Sequence, residues 1–130
     1  MTFREALSKP LILPAQPHGV RPIIEHVALK AGLPAPNVVA DISSISILRS
    51  SLLAGLGQTI LPAMPMQTEI ENGTLCKIAL RSPTLSRIVA LCRSRHLPES
   101  TAAASVNAIT LRVMKDLCIQ KKWVDATFIG

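Results

Sequence analysis

His18, Asp41 and Ser43 are the residues whose types could carry out catalysis in this chain. Nucleophilic hydrolysis needs a Ser or Cys, a base, and an acid that orients the base. His18 lies in the stretch ILPAQPHGVR (Ile12–Arg21), where an apolar run stops at Pro14, a polar loop follows and a helix begins. Ser43 occupies a similar strand-to-helix junction, with Asp41 just before it. No GxSxG elbow surrounds Ser43, and chain order alone does not bring the three groups together. A lone His at a helix start ordinarily caps the helix or bonds locally, so a small hydrolase is the weaker reading.

Other chemistries fail on spacing. His18 and His26 stand eight positions apart, two helical turns, which is too far to share a metal. Cys76, Cys92 and Cys118 are an odd number with no CxxC pair, a pattern of buried free thiols in a reducing compartment and not of a disulfide framework or zinc site. A phosphate cradle needs its glycines in the turn that opens a helix. The first loop offers only Gly19, and Gly55–Gly57 (GLG) precedes a strand. No catalysis, metal or cofactor is expected.

Composition sets the frame. The length of 130 residues suits one compact domain. Aromatic residues are only 2%, so the core must be built from Ile, Leu, Val and Ala. The N-terminus MTFREALSK has no apolar h-region, and no apolar stretch reaches the length of a membrane span, which points to a cytoplasmic location. The net charge of +6 invites a nucleic-acid partner. Yet Arg81, Arg87, Arg93 and Arg95 bracket an apolar run, Lys115, Lys121 and Lys122 sit near a helix end, and no aromatic residues interleave them. A solvated basic face accounts for the charge.

The elements that must position these residues alternate. KPLILP (Lys9–Pro14) predicts a strand buried on both faces. Val20, Ile23, Ile24, Val27, Ala28 and Ala31 form an amphipathic stripe that Gly32 ends. A strand is expected at about Asn37–Ile42, then a helix from Ile45 to about Leu53 capped by Ser43 or Ser44. Thr59–Leu61 predicts a buried strand closed by Pro62, and Met66–Glu71 a short helix stopped at Asn72–Gly73. Leu75–Leu80 and Ile88–Cys92 are expected strands. Pro98–Ser100 opens a long final helix with the stripe Val106, Ile109, Val113 and Leu117, and an aperiodic tail runs from Lys121 to Gly130. This alternation predicts an α/β sheet with parallel neighbours. In such sheets ligands settle at the carboxyl ends of strands, beside helix N-termini. Three such ends recur, at Pro14–Gln16, Ile42–Ser44 and Leu61–Ala63.

KPLILPAQPHGVRPIIE, AGLPAPNVVADISSISILRSSLLAGLGQTILP, ENGTL and RSPTLSRIVALCRS, taken in that order, resemble the effector-binding region of LysR-type transcriptional regulators. The resemblance spans about Phe3 to Leu117 and is closest to the nitrogen-assimilation-regulator-like branch. It implies a periplasmic-binding-protein-like fold of type 2, in which two α/β subdomains hold a small-molecule inducer in their cleft. It further implies a cytoplasmic homo-oligomer that contacts DNA only through a winged helix-turn-helix absent from this chain. By the same resemblance, residues 1–86 are the second subdomain, 87–120 the return strand and helix of the first, and 121–130 an irregular tail. The matching positions make Pro14, Ala15, Gln16, His18 and Gly19 one wall of the cleft, with Ser43 and Ser44 at the second junction and Thr59, Leu61 and Pro62 at the third. Ala15 stands where the family often has serine, which leaves Gln16, His18 and backbone N–H groups as the polar contacts to an inducer, an organic acid or amino-acid-like metabolite. A free-standing solute-binding module of the same fold is the alternative, and the missing signal sequence counts against it.

Overall fold

Leu11, Ile12 and Leu13 form β1 (Leu11–Leu13), and all three side chains are buried. A strand covered on both faces has no polar face to show, which is why this segment reads as an unbroken apolar run. Alternation sends Leu11 and Leu13 into one cluster with Phe3, Ala6, Leu7, Ile24, Ala28 and Ile60. Ile12 turns to the opposite face, with Leu48 and Met66 and the half-buried Ala40, Ile42, Leu52 and Leu61. The computed structural model describes residues 1–15, 19–94, 96 and 98–129; Gln16, Pro17, His18, Arg95, Leu97 and Gly130 lie outside the described residues. The chain divides into two units, Met1–Arg87 and Ile88–Gly130.

In the first unit, β1 pairs in parallel with β2 (Val38–Asp41), with Leu13 opposite Asp41 and an irregularity between Leu11 and Ile12. The connection is α2 (Arg21–Lys30), which buries Ile24 and Ala28. Its first turn accepts Pro22, and its end is a Schellman turn. There Gly32 sits at φ +63°, its N–H reaches Leu29 O at 3.1 Å, and the Leu33 N–H reaches Ala28 O at 2.8 Å. After β2, the Ser44 hydroxyl caps α3 (Ile45–Leu53). A 3₁₀ turn (Met64–Met66) leads into α4 (Gln67–Glu71), which ends before Gly73 at φ +78°.

One element falls outside the sequence expectations: α1 (Phe3–Leu7). Its signal is a capping box, with the Glu5 N–H donating to Thr2 Oγ1 at 3.2 Å and the Thr2 N–H donating to Glu5 Oε2 at 2.8 Å. Phe3, Ala6 and Leu7, at i, i+3 and i+4, face the core.

Three expected strands are corrected. Thr59–Leu61 carries no regular strand; the neighbouring Gln58 makes a single parallel bridge to Leu11 instead. Its backbone is nevertheless tied to β1, with the Ile12 N–H to Gln58 O at 2.7 Å and the Gln58 N–H to Pro10 O at 2.9 Å. Leu75–Leu80 is irregular, because its pairing is confined to one bridge between Arg81 and Thr2 before the chain coils into α1. Ile88–Cys92, in the second unit, forms no strand and leaves Ile88 81% exposed. An apolar run marks a segment suited to burial, but a strand needs a neighbouring ladder, and none pairs with it among the described residues. The second unit is otherwise α5 (Thr101–Ile119), whose Ser100 cap accepts from the Ala103 N–H at 3.1 Å. The expected stripe Val106, Ile109, Val113 and Leu117 lies along it, with the first three exposed and Leu117 half-buried.

Candidate functional site

Parallel pairing decides where the candidate residues meet. β1 lies between β2 on one side and the segment at Gln58 on the other, and all three run in the same direction. Their carboxyl ends therefore come out side by side. Pro14 and Ala15 leave the first, Ile42, Ser43 and Ser44 the second, and Leu61 and Pro62 the third. Close backbone bonds hold this order, with the Ile42 N–H reaching Leu13 O at 2.9 Å. Pro14, Ala15, Thr59 and Leu61 are half-buried, while Gly19, Ser43, Ser44 and Pro62 are exposed. Gln16 and His18 lie outside the described residues.

Each junction has a local cause. At the first, Gly19 takes φ +89°, a conformation that L side chains rarely adopt, and a Cβ there would stand 3.7 Å from Pro14 Cβ. Gly19 thus lies beside Pro14 before α2 starts. At the second, Ser44 Oγ lies 2.9 Å from Ser46 Oγ and caps the first turn of α3. At the third, Gly57 permits the approach: a Cβ there would stand 3.0 Å from both Pro10 O and Ile12 Cγ1. Thr59 follows, with its Oγ1 buried and lacking a hydrogen-bond partner among the described residues.

The electrostatics of the ledge centre on a residue that the sequence reading did not single out. Arg21, in the first turn of α2, donates through Nε to Glu25 Oε1 at 2.9 Å and through Nη1 to Asp41 Oδ1. The hydrogen bond to Glu25, reinforced by the Asp41 charge, raises the guanidinium pKa above its ordinary value, so Arg21 is charged at every working pH. Arg21 is legible in the sequence only as the last residue of PHGVR; its partner stands twenty positions on and is fixed by the strand register. Asp41, the acid that the hydrolase reading would need, is engaged by this guanidinium. Among the described residues, no three His, Cys, Asp or Glu side chains gather where they could hold a metal ion. Two surface depressions in the first unit are lined by other residues, one between α1 and residues 77–81 and one along α3 that includes Ser46.

The model of the LysR substrate binding domain matches residues 1–114. The chain belongs to the LysR substrate-binding domain family. Comparison with curated proteins and with solved structures gives no match. A LysR substrate-binding domain is a ligand-sensing part of a transcriptional regulator, and its family fold is periplasmic-binding-protein-like, of type 2. The mixed helices and parallel strands of Met1–Arg87 accord with that architecture at the level of class. In this LysR domain no helix among the described residues is long and apolar enough to cross a membrane.

Proposed function

We propose that the ledge formed by the ends of β1 and β2 and the neighbouring segment after Gln58 is the inducer-binding wall of this LysR domain, and that the chain senses a small organic acid or amino-acid-like metabolite without transforming it. The observation that supports this reading is parallel pairing: β1 runs alongside β2 and, through the Leu11–Gln58 bridge, alongside the segment at Gln58, so all three chain segments leave in one direction. Pro14, Ala15, Gly19, Ser43, Ser44, Thr59, Leu61 and Pro62 line the wall, and Gln16 and His18 belong to the same loop by sequence. Residues 1–86 act as the second subdomain of the effector domain, 87–120 as the return strand and helix of the first, and 121–130 as a tail. The regulator is a cytoplasmic homo-oligomer, and DNA is contacted by a winged helix-turn-helix outside these residues.

A thermal-shift screen of organic acids and amino acids tests the proposal. A ligand that binds only the folded form raises the melting temperature with concentration. A compound at 100 times its Kd adds about 2.7 kcal/mol of stability. At least one responding compound is expected, and substitution of Ser43 and Ser44 by bulkier residues should remove its response. A response that survives those substitutions unchanged would contradict the assignment of the wall.

A further inference from the structure

We infer that Arg21 is a positioning residue: its ion pair with Asp41 couples the first two junctions of the ledge, so that the start of α2 and the end of β2 move as one piece. This rests on the proposed inducer wall for its meaning, although the coupling itself is a property of the ligand-free chain.

The geometry is specific to this pair. Arg21 follows the loop that leaves β1, and Asp41 is the last residue of β2, opposite Leu13 in the register. Backbone bonds already hold β1 to β2 up to the Ile42 N–H on Leu13 O. The first turn of α2 is held by Ile24 in the core, and its N-cap Val20 makes no side-chain hydrogen bond among the described residues. The guanidinium supplies a tie to β2, and its planar fork lets one residue bond Glu25 on its own helix and Asp41 on the strand at once. The bond to Glu25 fixes the Arg21 side chain along α2, so a shift of Asp41 is passed to the helix and not absorbed by side-chain rotation. The Arg21 side chain is 17% exposed and Asp41 54% exposed, so the pair sits at the rim of the ledge with its strand partner open to solvent. An inducer resting on the ledge would then find the first two junctions at a fixed spacing, and any displacement of Asp41 by the ligand would be transmitted to α2.

Amide hydrogen exchange on the full chain without ligand tests this. The reporters are Ile24, which donates to Val20 O in the first turn of α2, and Ile42, which donates to Leu13 O at the end of β2. Asp41→Asn removes the charge from the exposed partner with little risk to the fold. Exchange at both reporters should rise together by about fivefold, the upper range for a partly exposed pair, while Ile12 and Ala54 stay unchanged. Asp41→Glu should restore protection at both, a rescue that a purely local packing role would not give. At Ile42, Arg21→Gln combined with Asp41→Asn should add nothing to Asp41→Asn alone, because the Glu25 bond that Arg21→Gln also removes lies within α2. Exchange that rises at one reporter alone, or that Asp41→Glu leaves unrescued, would overturn the coupling. Failure of every compound in the thermal-shift screen would overturn the inducer wall and leave this exchange result standing.

Discussion

Substituting Gly57 by alanine probes the packing that makes the third junction. An ideal Cβ at this position stands 3.0 Å from Pro10 O, 3.0 Å from Ile12 Cγ1 and 3.2 Å from Ile12 Cδ1. The side-chain atoms of Ile12 can yield only into a filled space, because Ile12 is 2% exposed. Pro10 O is backbone and already accepts the Gln58 N–H at 2.9 Å, so moving it strains the bridge that ties this segment to β1. Overpacking of this kind costs about 1–3 kcal/mol, and the reduced freedom of the unfolded chain returns about 0.4–1 kcal/mol. The net expectation is a loss of about 1–2 kcal/mol, seen as a melting temperature lower by about 5–15 °C in a unit of this size. Urea titration read by circular dichroism gives the free energy, and faster exchange at the Ile12 and Gln58 amides locates it. Ile12→Val removes one of the crowded atoms, so the double variant should be less destabilised than the sum of the singles. A Gly57→Ala chain as stable as the parent would refute the close approach, and with it the position of the segment at Gln58 beside β1.

The Glu5 carboxyl is held below its ordinary pKa of 4.5 by hydrogen bonds from the Thr2 backbone and then from the Thr2 hydroxyl. A depressed folded pKa contributes stability that is present above the unfolded value and lost as pH falls through the folded one, so the capping box should weaken below about pH 4.5. Thr2→Ala should flatten that acid limb in a pH series of thermal melts. Glu69→Ala should destabilise by about 1–3 kcal/mol in chemical denaturation, since Arg49 Nε, a buried atom on a side chain that is 36% exposed overall, loses its ion-pair partner at 3.1 Å. Ile88, Val89 and Leu91, with Val106, Ile109 and Val113 on α5, are exposed large apolar residues, and surfaces of that kind usually find a partner. Light scattering behind size-exclusion chromatography should therefore show dimers or larger species at micromolar concentration, and a clean monomer would count against the proposed oligomer.

How much of this was legible in the sequence differs from one element to the next. The ends of α2 and α3 were, because they rest on local chemistry: Ser44 before Ile45, and glycines at positions 32 and 55 in left-handed turns. β1 was legible too, since burial on both faces leaves an unbroken apolar run. The same signal misled at Ile88–Cys92, where hydrophobicity alone supplies no neighbouring ladder. It overstated Thr59–Leu61, which lies along β1 by way of one bridge at Gln58. The T-x-x-E signature of α1 was present at Thr2–Glu5, but five residues hold too little periodicity to announce a helix. At the site, alternation named the ends of β1 and β2, whereas their adjacency depends on register. The Arg21–Asp41 pair is long-range for the same reason and left no mark in spacing or composition.

The central claim is that the strand-end ledge receives the inducer, and amide chemical-shift mapping with the strongest compound of the thermal-shift screen tests it most directly. The account predicts saturable shifts at Ala15, Gly19, Ser43, Ser44 and Thr59, with the amides of α5 unmoved. Shifts gathered instead at Thr2, Glu5 and Ile78, around the depression beside α1, would contradict it.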